Sequence, residues 1–285
     1  MKFFQIMRPA HWTKSVFVFA GLVFGKKLAG TGTEVTYAVV QSLGAFIGFC
    51  LMSSAVYIFN DLMDREADKR HPEKSKRPIA SGEISAKQAW SILLLCSVGA
   101  LAAGFWVSES VAGVLAGYFV LMLLYSTLLK RIMILDCIVI AVGFCLRAMA
   151  GAVAVDVAIS PWLIICTFAI CLFLGFGKRR SEMAQLSPQA QAFRPTLTEY
   201  TPELLAHMLN VTSALAIVCF LLYAMDEATN SHLAYTTPLV LFCVFRFSSL
   251  IQIGQYSGPV QFILGDRQFQ IGFILWALSC VLIIY

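Results

Sequence analysis

Charged side chains are scarce in this sequence. Only 13% of its 285 residues are Asp, Glu, Lys or Arg, about half the share of an ordinary soluble domain. That excludes a chain that buries one core and turns a polar surface to water. Paired cysteine motifs are missing as well. Nine thiols occur, mostly inside apolar runs, at Cys50, Cys96, Cys137, Cys145, Cys166, Cys171, Cys219, Cys243 and Cys280, and no C-x-x-C pair is among them. Neither a zinc site nor a disulfide frame is indicated, and the thiols read as small buried hydrophobes. His11, His71, His207 and His232 show no metal-ligand spacing and no nucleophile partner. Low-complexity tracts and heptad repeats are absent. Lys14 runs straight into a full-length apolar stretch with no small-residue cleavage site, so no cleavable signal peptide is expected.

What the chain has in quantity is apolar length. Hydrophobic residues make up 59% of it, and the mean hydropathy is +0.78. Windows of roughly 20 residues with few charges mark membrane spans. Nine occur, near 13–31, 35–59, 87–107, 110–129, 132–155, 161–177, 206–225, 235–254 and 268–285. The expectation is an all-α integral membrane protein: a nine-transmembrane-helix bundle forming one domain over 1–285, with a polar cavity facing the cytoplasm. Basic residues set the orientation. With the N-terminus in the cytoplasm, the tail and cytoplasmic turns carry 17 Lys and Arg, against only Lys26 and Lys27 in the opposite loops. Those opposite loops hold Glu34, Glu109, Asp156, Asp226 and Glu227. The net charge of +5 is therefore topology, and nucleic-acid binding is not expected.

A transporter places ionisable groups near the membrane midplane. Here they crowd at the cytoplasmic ends of the second, fourth and sixth spans, which points to a site at the membrane surface. At the end of the second span stand Asn60, Asp61, Asp64 and Asp68, as N-D-x-x-D-x-x-x-D. On a continuing helix the three carboxylates fall within about 60° of one another. They repel unless a cation lies among them. Hard oxygen ligands suit Mg²⁺, which reaches proteins through a few carboxylates plus substrate phosphates. The bland reading is a solvated helix end balanced by Arg65, Lys69 and Arg70.

In "HPEKSKRPIASG", Pro72, Pro78 and Gly82 break any helix, so Lys74, Lys76 and Arg77 ride on a loop. Arg suits bidentate phosphate contacts and Lys point-charge contacts. Lys74 serves equally well as a contact to lipid head groups, whereas Arg77, fixed before proline, favours a ligand. "FGKRRSEM" at 176–183 puts Lys178 and Glu182 on one face with Arg179 about 100° away. Such a cluster binds an anion directly, with Glu182 orienting Lys178 or bonding a hydroxyl. In "YSTLLKRIMILD", Tyr125, Lys130 and Asp136 flank a very short turn that holds Lys130 firmly. Arg147 lies 11 residues beyond Asp136 on nearly the same face. At that depth it must face a polar cavity or partner, and it either meets the ligand or ties helices together. Arg246 is similar but isolated, and reads as structural. "RPAHWTKS" brings Arg8, Trp12 and Lys14 to the mouth of the first span. Trp12 there reads as interfacial belt chemistry, and Lys14 as a weaker candidate for phosphate contact.

N-D-x-x-D-x-x-x-D at 60–68, "KRPIASG" at 76–82 and nine spans together resemble the UbiA superfamily of intramembrane prenyltransferases, over nearly the whole chain. Most members move a prenyl group from a prenyl diphosphate and carry a second aspartate-rich motif after the sixth helix. Lys178-Arg179-Arg180-Ser181-Glu182 stands there instead. That departure, with "RPAHWTK", "YSTLLK", "LDCIVIAVGFCLRAMAGA" and "GKRRSE", resembles the decaprenyl-phosphate phosphoribosyltransferase branch. The resemblance implies Mg²⁺ on Asn60, Asp61, Asp64 and Asp68, gripping phosphoribosyl diphosphate, with a polyprenyl phosphate as acceptor. It implies catalytic roles for Asp61, Asp64, Lys178 and Glu182. It places substrate against Lys14, Lys76, Arg77, Tyr125, Lys130, Arg147, Lys178 and Arg179. An ordinary prenyl transfer to an aromatic or other small acceptor is the alternative, and a non-enzymatic transporter of anions or lipids is a second.

Overall fold

The computed structural model describes residues 2–70, 74–185, 195–225, 231–256 and 258–285. His71, Pro72, Asp226 and Glu227 lie outside the described residues. Among those described, every regular element is helical, and eight helices are long and apolar enough to cross a membrane. They are α1 (Gly32–Met63), α2 (Ala86–Val107), α3 (Glu109–Thr127) and α4 (Leu135–Ala154). After them come α5 (Pro161–Gln185), α6 (Pro202–Met225), α7 (Thr237–Ile253) and α8 (Arg267–Ile284). Large apolar side chains such as Leu94, Leu95, Phe105, Trp106, Leu278 and Leu282 point outward, as a lipid-facing surface requires.

The first predicted span differs. Residues Pro9–Phe19 wind as a 3-10 helix and continue into a short α-helix at Ala20–Phe24. The tighter winding rises about 2.0 Å per residue, so the two pieces together still rise roughly 30 Å, a hydrocarbon thickness. A neighbouring helix packs closely against this course. The Cβ of any residue replacing Gly151 would collide with the Val18 carbonyl oxygen, and one at Gly21 would lie 2.5 Å from the Ala152 nitrogen. Backbone meets backbone there, as small residues permit in membranes.

Local signals place the breaks. Thr31 N–H and its hydroxyl both donate to Glu34 Oε2 at 2.9 Å, fixing the start of α1. At α2, Ser85 N–H donates to Gln88 Oε1 (2.9 Å), and Gln88 N–H returns to Ser85 Oγ (3.3 Å). This reciprocal box ends the polar loop that follows α1. Gly82, at φ 83°, takes the left-handed turn within it. The loop is pinned from below: Ile79 and Ile84 are buried with Ile6, Ala55, Ile58, Ala89 and Leu93.

The chain divides into two compact units. The first comprises residues 1–132 and 142–159, the second 133–141 and 160–285. Helix α4 thus gives its first turns to one unit and the rest to the other.

The glycine contact makes a stability prediction. Overpacking of this kind costs about 1–3 kcal/mol. Gly151→Ala should lower the thermal midpoint of the detergent-solubilised protein, whereas Gly113→Ala, with nothing within 4 Å, should not. Equal midpoints for the two variants would contradict the contact.

Candidate functional site

In the first unit, α1 ends at Met63, and Asp64 forms the hinge into a short helix at Arg65–Lys69. The ladder barely breaks, since Asp68 N–H still donates to the Asp64 carbonyl at 2.8 Å. The three aspartates therefore keep one side of the chain, as their spacing predicts. Asp61 and Asp68 are buried. Burying carboxylates demands charge compensation, and three cations supply it.

Arg77 bridges the two buried acids, its Nη1 lying 3.0 Å from Asp61 Oδ1 and 2.7 Å from Asp68 Oδ2. Arg8 Nη2 donates to both Asp61 oxygens at 2.6 and 2.8 Å. Lys130 Nζ donates to both Asp64 oxygens at 2.6 and 2.8 Å and to Asn60 Oδ1 at 3.3 Å. Asn60 Nδ2 closes the group on Asp64 Oδ2 at 3.0 Å. Asn60 thus accepts from the lysine and donates to the carboxylate, using both ends of its amide.

Each cation is delivered by a distinct local device. Arg77 sits on the loop anchored by Ile79 and Ile84. Lys130 lies in the 3-10 turn Leu129–Arg131 that follows α3. Arg8 has φ 52°, a left-handed conformation uncommon for a non-glycine residue. It is held on both sides: Trp12 Nε1 donates to Ser54 Oγ (3.0 Å), which donates to the Met7 carbonyl (2.9 Å). Trp12, expected as an interfacial belt residue, thus fastens the N-terminal stretch to α1. A cavity of about 460 Å³ opens beside this group, lined by Arg8, His11, Asp61, Lys76 and Arg77 among others. Lys76 is exposed, and Tyr125 is half-buried on the last turn of α3.

The second unit has its own polar cluster. Arg179 is 2% exposed and Asp136 1%. Arg179 Nε donates to Asp136 Oδ2 at 2.8 Å, and its Nη1 to Glu182 Oε2 at 2.7 Å. The Tyr200 hydroxyl donates to Asp136 Oδ1 (3.1 Å) and accepts from Ile134 N–H (2.8 Å). Burial pushes the Tyr200 phenol well above its ordinary pKa, so it keeps the proton it donates. Ile134 has φ 71°, a strained conformation for a β-branched residue, and the Tyr200 bond stabilises it. Lys178, one residue away, is about half exposed and 3.8 Å from Glu182 Oε1. Arg246 pairs with Asp266 at 2.8 Å and holds that carboxyl below its usual range, while Asp266 caps α8 through Phe269 N–H.

The structure therefore gathers Asn60, Asp61, Asp64, Asp68, Arg77 and Lys130 into one group, and Lys178, Arg179 and Glu182 into another. Lys14 and Arg147 stand deeper in the first unit. Sequence reasoning left Arg8 without a role and missed Tyr200. It recorded Asp136 only as a flank of the turn. A lone aspartate opening an apolar run is the signal that a buried cation waits for it. Nothing local in the sequence pairs Arg8 with an aspartate 53 residues away.

The all-oxygen donor set of Asn60, Asp61, Asp64 and Asp68 fits a hard divalent cation. Among the described residues, however, no three His, Cys, Asp or Glu side chains converge on one point. Arg8, Arg77 and Lys130 hold the oxygens that such an ion would need.

Comparison with known proteins gives the family and the fold. The UbiA prenyltransferase family matches residues 16–281. A decaprenyl-phosphate phosphoribosyltransferase of Mycolicibacterium smegmatis is 32% identical, covering 95% of this chain and 89% of that protein. Its Mycobacterium tuberculosis namesake is 29% identical over 95% of this chain and 90% of its own length. In fold, the chain is similar to a UbiA homolog from Archaeoglobus fulgidus bound to GPP and Mg²⁺. That likeness has a TM-score of 0.75 at 19% identity, covering 100% of this chain and 99% of the other.

The Asp136–Arg179 pair yields a test. Leaving one member of a buried ion pair alone costs up to about 3–5 kcal/mol. Asp136→Asn should destabilise strongly in denaturant titration, and adding Arg179→Met should recover part of the loss. Strict additivity of the two substitutions would contradict their coupling.

Proposed function

The chain belongs to the UbiA prenyltransferase family, and from that premise we propose that it transfers 5-phosphoribose from phosphoribosyl diphosphate to a polyprenyl phosphate, releasing diphosphate. The observation that carries this reading is the charge content of the two polar clusters. Three aspartates are matched by Arg8, Arg77 and Lys130 in one, and Lys178 and Arg179 stand with Glu182 and Asp136 in the other. Once a metal takes the carboxylates of the first cluster, its three cations become available to more phosphate than one diphosphate leaving group. The name carried by the near-full-length relatives supports the same reaction.

Asn60, Asp61, Asp64 and Asp68 are the residues that would hold Mg²⁺, which supplies charge neutralisation for the leaving diphosphate. Arg77 and Lys130, now on carboxylates, turn to phosphate oxygens when substrate brings its own negative charge. Lys76, exposed at the cavity rim, adds a point charge, and Tyr125 a hydroxyl. Lys178 contacts phosphate, Arg179 anchors Glu182 and Asp136, and Glu182 orients Lys178 or bonds a ribose hydroxyl. The C1–O bond to diphosphate breaks with its electron pair leaving on diphosphate. A lone pair of the lipid phosphate then forms the new C1–O bond. That nucleophile is already anionic, so no general base is required. By the distribution of basic residues, we place the N-terminus and the acidic group on the cytoplasmic side of the cell membrane.

Incubation with Mg²⁺, a polyprenyl phosphate and radiolabelled phosphoribosyl diphosphate should carry label into the lipid phase, and EDTA should abolish it. Asp61→Ala and Asp64→Ala should each retain less than about 10% of wild-type turnover; greater retention would sink the acidic assignment. Turnover of a prenyl diphosphate with an aromatic acceptor, without phosphoribosyl transfer, would replace this function by ordinary prenyl transfer.

A further inference from the structure

Beneath the acidic mouth, one face of α1 continues inward through Tyr57 and Ser53, four and eight residues before Asp61. At 1.5 Å per residue this stripe descends about 12 Å. Two cations of the same unit lie along it. Lys14 Nζ is 3.4 Å from the Tyr57 hydroxyl and 5.9 Å from its ring centroid. Arg147 Nη2 donates to Ser53 Oγ at 3.1 Å and to Tyr118 Oη at 2.8 Å, while Nη1 donates to the Gly143 carbonyl at 2.9 Å. The Arg147 guanidinium also lies over the rings of Tyr118, Phe144 and Phe49, at 4.7, 5.2 and 5.6 Å.

The electrostatics here reverse those at the mouth. There, every aspartate has its cation. Here, among the described residues, all the partners of Lys14 and Arg147 are neutral hydroxyls, a carbonyl or aromatic rings. Arg147 is only 4% exposed, and its Nε has no hydrogen-bond partner. Tyr57 and Ser53, to which they bond, are four residues apart on α1, about 6 Å along the helix. A buried cation is ordinarily paired, and a neutral cage leaves this pair without a counter-charge.

We propose that Lys14 and Arg147 form a subsite for a phosphate monoester, bound without metal. A dianion neutralises both cations. Arg147 Nε is the donor left open, and phosphate oxygens would replace the Ser53 and Tyr118 hydroxyls on Nη2 beside it. Lys14 adds a point charge, and the Tyr57 hydroxyl is a further donor. The mouth, whose cations are already matched by carboxylates, takes diphosphate with its metal; the deeper pair takes the bare monoester. This rests on the function proposed above, in which each substrate carries one such group: the 5-phosphate of the sugar and the phosphate of the lipid.

The test is calorimetric titration of the purified full-length protein with ribose 5-phosphate and, separately, with farnesyl phosphate. Lys14→Met and Arg147→Met should weaken one ligand by at least about tenfold, with Arg147→Lys intermediate. Binding of Mg²⁺-diphosphate should stay within about threefold of wild type. Selective loss of ribose 5-phosphate assigns the subsite to the sugar donor, and selective loss of farnesyl phosphate assigns it to the lipid; loss of both still supports a monoester site. Wild type binding neither ligand, or Lys14→Met binding both as wild type does, overturns the proposal. Lys14 is only half-buried, so that variant decides the matter if Arg147→Met melts early. Turnover is not read, so a failed transfer reaction and a failed subsite give different results.

Discussion

Three carboxylates at the end of an apolar helix must be neutralised, and most of the first unit's polar structure follows from that constraint. Arg77 is its centre, bridging Asp61 and Asp68. The loop carrying it buries Ile79 and Ile84 so that the guanidinium returns to α1. The N-terminal stretch is tied by Trp12 to Ser54, bringing Arg8 onto Asp61. The turn after α3 sets Lys130 on Asp64. Each element is shaped by packing, yet each ends on the same charge problem. On the proposed function, a metal-bound diphosphate would exchange these contacts for others of the same kind, because it would bring a cation for the carboxylates and anions for the freed cations.

The second unit handles charge differently. Asp136, Arg179, Glu182 and Tyr200 form a largely buried set. Its acids and donors engage one another, and it stabilises the strained Ile134. Such a set fixes the first turns of α4 and the end of α5, leaving Lys178 as the outward-facing cation. One cluster is therefore suited to exchange partners, and the other to hold a frame.

Much of this was legible in the sequence, for identifiable reasons. Spans α1 to α8 were visible because crossing hydrocarbon demands about 20 apolar residues whatever the fold. The aspartates were visible because helical spacing alone puts them on one side. Lys130 was visible because a two-residue polar turn between long spans leaves it little freedom. Three things were hidden. Hydropathy does not distinguish an α-helix from the 3-10 course at Pro9–Phe19, which runs in close backbone contact with Gly151. The Arg8–Asp61 pair joins residues far apart in the chain. Arg179, expected as a phosphate ligand, has a guanidinium engaged by Asp136 and Glu182, which helical periodicity within α5 does not reveal.

The central claim is that Arg8, Arg77 and Lys130 occupy the carboxylates until substrate arrives. The most direct test is Mn²⁺ binding followed by electron paramagnetic resonance, with and without diphosphate. Diphosphate should tighten Mn²⁺ binding by at least about tenfold, and Asp61→Asn should abolish the tight component. Equal Mn²⁺ affinity with and without diphosphate, or tight binding that survives in Asp61→Asn, would contradict the account.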